Sequence, residues 1–185
     1  YHLDSLEKMG AKIKLKNGYI EASSKRLKGA EIKFDGITVT GTENIMMAAA
    51  LAEGKTTLTN VAKEPEIIDL ANMLNSMGAK IDGAGSDRIT IEGVDNLTGT
   101  NFEIPADRIE AGTYLAAAAV TKGDITIEGI NPNRLMKVID KLKDAGAEIE
   151  YQNNAISICM NKDVPNPVDI TLSLIHISEP TRHDQ

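Results

Sequence analysis

The apolar positions of this chain fall into a pattern that repeats. Residues 6–13 read LEKMGAKI, residues 74–81 read LNSMGAKI and residues 142–149 read LKDAGAEI. Their glycines, Gly10, Gly78 and Gly146, stand 68 residues apart. A second element recurs in step: 45–54 (IMMAAALAEG) matches 114–123 (YLAAAAVTKG) at an offset of 69. Self-similarity of this kind marks a chain assembled from copies of one supersecondary unit. Over 65–77, Ile67, Ile68, Ala71, Leu74 and Met77 recur near helical spacing. After a start signal at Asn131-Pro132-Asn133, Leu135, Val138, Ile139 and Leu142 do the same. Each repeated glycine sits where a helix end takes a left-handed residue. Past it the pattern predicts strand, turn and strand: 11–15 and 19–22, 79–82 and 88–92, 147–151 and 155–160. Asn17-Gly18 and Asn153-Asn154 supply hairpin turns. A further strand is expected over 101–104, and its equivalent one period later from Val168.

Two stretches differ. Residues 45–51 and 114–120 are apolar on every face, which calls for burial on every face. One unit cannot wrap such a helix alone. The expectation is an α/β (α+β) architecture of repeated βαβαββ units with the buried helices inside and the sheets around them.

Composition narrows the function. The chain has 185 residues, 42% hydrophobic and 25% charged, with a formal net charge of −7. Those values suit a folded globular protein. No basic cluster stands out, Trp is absent, and Tyr and Phe number four and two. Nucleic acid is therefore not an expected partner. No apolar run reaches membrane-spanning length and no secretory leader opens the chain, so neither a membrane nor export is expected. Cys159 is the single cysteine, which fits a reducing cytoplasm. It lies in an alternating stretch, 156–160, and reads as a structural strand residue rather than a nucleophile.

At this point the sequence resembles the enolpyruvyl transferases. The strings Lys63-Glu64-Pro65-Glu66-Ile67-Ile68-Asp69 and Asp107-Arg108-Ile109-Glu110-Ala111-Gly112-Thr113 are similar to two of that family's segments, supported by Leu27-Lys28-Gly29-Ala30 and 77–81. The resemblance runs from Tyr1 to about Ile170. It implies an inverted α/β barrel, present here incompletely. Residues 1–106 would be the later part of one domain and 107–170 the opening unit of the next. Residues 171–185 break the repeat. The run Leu172 to Arg182 resembles a translated sequencing adapter, so 171–185 read as an artefactual tail.

The resemblance also implies chemistry. The enolpyruvyl group of phosphoenolpyruvate moves to the 3′-hydroxyl of UDP-N-acetylglucosamine in peptidoglycan synthesis, and phosphate leaves. No metal or organic cofactor is involved. Proton delivery and removal need a general acid and base, and the anionic substrates need Arg and Lys clamps. The family's reactive Cys and catalytic Asp fall outside this sequence, so no catalytic residue is expected within it and the chain alone is expected to be inactive. Binding residues remain. By position, Gly36, Ile37, Thr38 and Val39 match the loop that holds the UDP group. Tyr1 matches the end of another binding strip, and Arg108 matches an Arg facing the cleft. Glu64 and Glu66 match positions near that cleft, although acids at a helix start also answer the helix dipole. Arg108 also reads as half of a surface ion pair with Glu110. Thr40 or Thr42 is placed to cap the helix that follows the loop. The loop departs from the family in opening with Gly36 and continuing Thr40-Gly41-Thr42, so a Lys contact is lost while backbone contacts persist. Two other readings stay open. One is a stand-alone nucleotide-sugar binding module; the other is a piece of the shikimate-pathway enolpyruvyl transferase.

Overall fold

A computed structural model of the chain describes residues 1–170. The stretch read above as a tail, 171–185, lies outside the described residues. The chain divides into two compact units, one spanning Tyr1–Glu103 and one beginning at Ile104.

The first unit opens with helix α1 (His2–Lys8) and a hairpin, β1 (Lys12–Lys16) and β2 (Tyr19–Ser23). A full βαβαββ run follows: β3 (Glu31–Lys33), α2 (Val39–Ala50), β4 (Lys55–Thr59), α3 (Pro65–Ser76), β5 (Lys80–Asp82) and β6 (Arg88–Glu92). These four strands form one sheet in the order β3-β4-β6-β5. β3 runs parallel to β4, with Ile32 opposite Leu58, and the other pairs are antiparallel. Strand alternation turns Ile32, Leu58, Ile89 and Ile91 inward, where they pack with Ile45, Met46 and Ala49 of α2 and Ile67 and Ala71 of α3.

The second unit holds α4 (Arg108–Thr121), β7 (Asp124–Glu128), a 3-10 turn (Pro132–Arg134), α5 (Met136–Asp144), β8 (Glu148–Gln152) and β9 (Ala155–Cys159). Its sheet is antiparallel in the order β7-β9-β8. Its core joins Leu115 and Ala118 of α4 to Ile139, Ile149, Ile156 and Ile158.

The repeated glycines end their helices as the sequence predicts. Gly10, Gly78 and Gly146 have φ of 90°, 101° and 101°. Each closes a Schellman turn, in which the following alanine donates back across six residues: Ala11 N–H to Leu6 O, Ala79 N–H to Leu74 O and Ala147 N–H to Leu142 O, at 2.9 to 3.0 Å. All three predicted hairpins form within a residue of their expected limits.

Two expectations are corrected. Among the described residues the apolar helices are not enclosed on every side. α2 leaves Met47 exposed, as is Leu51 just past its end, and α4 leaves Tyr114 and Val120 exposed at 58% and 79%. The elements of each unit reach only one side of its helix, so apolarity all round does not become burial all round. No strand forms over 101–104 or 168–170. In the complete βαβαββ run the corresponding strand, β3, exists because it has β4 to pair with. The later segments have no such partner among the described residues, and an extended segment without a ladder is not a strand.

Candidate functional site

The loop joining β3 to α2 carries four of the expected binding residues. Its entry is fixed by the sheet: the Phe34 N–H donates to Thr59 O at 3.1 Å, prolonging β3 beside β4. Phe34 is buried, and the Tyr1 ring meets it edge-on with centroids 6.3 Å apart. That contact carries the Tyr1 hydroxyl over Gly36, where an added Cβ would stand 2.7 Å from the phenol oxygen. Tyr1 and Gly36, 35 positions apart in sequence, are thus neighbours. Ile37 is 41% exposed.

The helix begins earlier than the hydrophobic pattern suggests. Thr38, extended at φ −141° and ψ 121°, is its N-cap, and the Thr38 hydroxyl accepts the Gly41 N–H at 3.2 Å. The expected caps, Thr40 and Thr42, are therefore corrected: Thr40 lies exposed in the first turn and Thr42 is inside the helix. The reason is local. Gly41 has no Cβ to obstruct the Thr38 side chain as it folds over the helix start. The first two N–H groups of α2, on Val39 and Thr40, make no hydrogen bond among the described residues. Open donors at the positive end of a helix dipole favour an anion.

Two side chains hold the loop from outside. Asn60, left-handed at φ 57°, donates its Nδ2 to Phe34 O at 2.8 Å. Thr42, fully buried, donates its hydroxyl to Thr38 O at 2.7 Å and accepts the Ala62 N–H at 3.1 Å. Sequence reasoning missed both roles. An Asn directly after a β-rich run and just before an apolar pair was the available signal for Asn60.

The acids Glu64 and Glu66 sit at the start of α3. Glu64 is its N-cap residue, with its carboxylate accepting the Lys63 N–H at 2.9 Å, and Glu66 lies in the first turn. They come near Glu43 on α2. Burial, then Glu66, then Glu64 raise the Glu43 carboxyl above its ordinary value. Lys63 pairs with Asp87. A concavity of about 630 Å³ opens beside the loop, bordered by Lys33, Asp35, Asn60 and Arg88. Arg88 opens β6, at the start of the strand expected over 88–92.

Arg108 belongs to the second unit. It is the first residue of α4, half-buried, behind Asp107, whose carboxylate caps the helix by accepting the Ile109 and Glu110 N–H groups at 2.7 and 3.3 Å. Cys159 is half-buried in β9, its thiol donating to Asn161 Oδ1 at 3.4 Å. Among the described residues no three His, Cys, Asp or Glu side chains are placed to hold a metal ion, and no helix is long and apolar enough to cross a membrane.

Residues 1–177 match the family model of EPSP synthase (3-phosphoshikimate 1-carboxyvinyltransferase). The UDP-N-acetylglucosamine 1-carboxyvinyltransferase of Hydrogenovibrio crunogenus is 52% identical over 169 residues, covering 91% of this chain and 40% of that protein. The protein of the same name from Magnetococcus marinus is 53% identical over 180 residues, covering 97% of this chain and 43% of its own length. The chain thus spans about 40% of the length of the curated relatives it matches. Among solved structures, the enolpyruvyl transferase NikO from Streptomyces tendae superposes with a TM-score of 0.78 at 19% identity, covering 89% of this chain and 42% of that one. EPSP synthase from Acinetobacter baumannii gives a TM-score of 0.64 at 28% identity, covering 85% and 38%. The fold is therefore α/β, an incomplete enolpyruvyl transferase type, as the resemblance implies.

Proposed function

We propose, for a chain that belongs to the EPSP synthase (3-phosphoshikimate 1-carboxyvinyltransferase) family, that it is part of the transferase that moves enolpyruvyl from phosphoenolpyruvate to the 3′-hydroxyl of UDP-N-acetylglucosamine. Phosphate is released, and the product enters peptidoglycan synthesis in the cytoplasm, serving cell-wall growth and division. The share of this work done by the present residues is binding. Gly36, Ile37, Thr38 and Val39 offer backbone N–H groups to the diphosphate, with Tyr1 beside them. Arg108 supplies a cation for an anionic substrate group, and Glu64 and Glu66 support the cleft.

The observation that carries this reading is the Thr38-capped start of α2, with its open N–H groups and the Tyr1 hydroxyl over Gly36. Relatives more than 50% identical that act by name on UDP-N-acetylglucosamine support it over the shikimate alternative. We also read the first unit as the later part of one family domain and the second as the opening of the other. The division between Glu103 and Ile104 supports that reading.

The test is a ligand comparison by thermal shift. UDP-N-acetylglucosamine should raise the melting temperature of the chain in a concentration-dependent way, because a ligand that binds only the folded state stabilises it. Shikimate 3-phosphate should leave it unchanged. Stabilisation by shikimate 3-phosphate alone would overturn the assignment.

A further inference from the structure

We infer that Thr42 and Asn60 are positioning residues that set the loop for its ligand, an inference that rests on the reading of that loop given above. The loop from Asp35 to Thr38 must present backbone N–H groups, and backbone is held in place only through its own polar atoms and φ/ψ. Here each end of the loop is held by its carbonyl. Phe34 O takes the Asn60 amide at 2.8 Å, and Thr38 O takes the Thr42 hydroxyl at 2.7 Å.

A helical threonine that donates to the carbonyl four residues back is common and means little alone. The second bond changes the reading. The same Thr42 oxygen accepts the Ala62 N–H at 3.1 Å, so the hydroxyl bridges the first turn of α2 to the segment that follows β4. Asn60 and Ala62 lie two residues apart in that segment. Both ends of the loop are therefore tied to one short stretch, and Glu64 lies two residues beyond Ala62 in the chain. Thr42 and Ala62 are fully buried, so no water stands in if the hydroxyl is removed. The left-handed φ of 57° at Asn60 brings its short amide back to Phe34 O. Asn is among the few side-chain-bearing residues that adopt this conformation readily.

The arrangement makes loop geometry depend on two side chains that act on the loop through its carbonyls. Their loss should weaken binding without unfolding the unit. In the full 185-residue chain, Thr42→Val keeps the shape and removes both bonds, while Thr42→Ser keeps the hydroxyl. Asn60→Gly keeps the left-handed backbone and removes the amide. The probe is UDP-N-acetylglucosamine, titrated by calorimetry, with amide hydrogen exchange read in parallel. Thr42→Val and Asn60→Gly should each weaken binding on the order of tenfold, the scale of one lost hydrogen bond at the site. Thr42→Ser should restore it. Exchange should accelerate at 35–42 and 60–64 and stay unchanged in β6. Unchanged affinity in both variants, or weakening that Thr42→Ser fails to rescue, overturns the inference. If Thr42→Val unfolds, Asn60→Gly decides alone. If the unsubstituted chain takes up no UDP-N-acetylglucosamine, the ligand assignment fails. Positioning is then judged on exchange: local acceleration upholds it, and none, or a global change, overturns it.

Discussion

Replacing Gly41 by alanine tests how the loop and helix α2 are joined. At an ordinary helical position this change stabilises by about 0.5–1 kcal/mol, because glycine loses more backbone entropy on folding. Gly41 is not ordinary. An added Cβ would lie 2.9 Å from the Thr38 hydroxyl oxygen and closer still to its methyl group. The methyl can swing away by rotation about χ1, but the hydroxyl then leaves the Gly41 N–H that it caps at 3.2 Å. Loss of a threonine cap costs about 1 kcal/mol. Taking about 0.5 kcal/mol as the gain from alanine, Gly41→Ala should be destabilising by about 0.5 kcal/mol. With Thr38→Ala already in place there is no cap to lose, and Gly41→Ala should stabilise by about the same amount. The coupling between the two sites is then about 1 kcal/mol, well within what contacting residues show. Urea unfolding followed by far-UV circular dichroism on the four proteins of the cycle measures it. A coupling indistinguishable from zero, with Gly41→Ala stabilising in both backgrounds, would refute the capping geometry.

Three more outcomes follow from the packing and charge. Gly93→Ala places a Cβ 2.7 Å from the Ala52 carbonyl carbon and nearer its oxygen; backbone cannot rotate aside, so a loss of about 2–4 kcal/mol is expected in urea unfolding. The buried Thr56 hydroxyl has no hydrogen-bond partner among the described residues, so Thr56→Val should stabilise by about 1 kcal/mol, and a lower melting temperature would contradict this. Glu43, whose carboxyl is raised by burial and then by Glu66 and Glu64, favours folding when protonated. Its contribution is present below the ordinary glutamate value of 4.5 and is lost as pH rises through the raised value. Glu43→Gln should therefore be more stable than the parent at neutral pH and show a smaller loss of stability on going up from pH 4.5. An equal loss in both proteins would count against the acid cluster.

Local signals in this sequence translated well into structure. The three glycines after helical stretches became three left-handed caps because Gly alone occupies that conformation without steric cost. Asn17-Gly18 became a hairpin turn with both residues at positive φ, 50° and 80°. What failed depended on partners distant in sequence. The stretch 101–104 has strand-like residues, yet a strand exists only when a ladder forms. The apolar faces of α2 and α4 announce burial, yet not which elements provide it. The site divides in the same way. Gly36 to Val39 could be placed by resemblance, and Tyr1 could not be set beside Gly36 until the Phe34 ring joined them. Thr38 was hidden as a cap because three threonines, Thr38, Thr40 and Thr42, compete for the role. The choice among them rests on the missing Cβ of Gly41. Asn60 and Thr42 act on carbonyls far from them in sequence or through a second bond across the fold, and no spacing rule encodes that.

The most direct test of the account is to follow the backbone amides of the ¹⁵N-labelled chain during titration with UDP-N-acetylglucosamine. Saturable shifts should concentrate at Gly36, Ile37, Thr38, Val39 and Thr40, with the Tyr1 ring responding, and shikimate 3-phosphate should leave these signals in place. Saturable shifts that leave these residues unmoved, or an equal response to shikimate 3-phosphate, would contradict it.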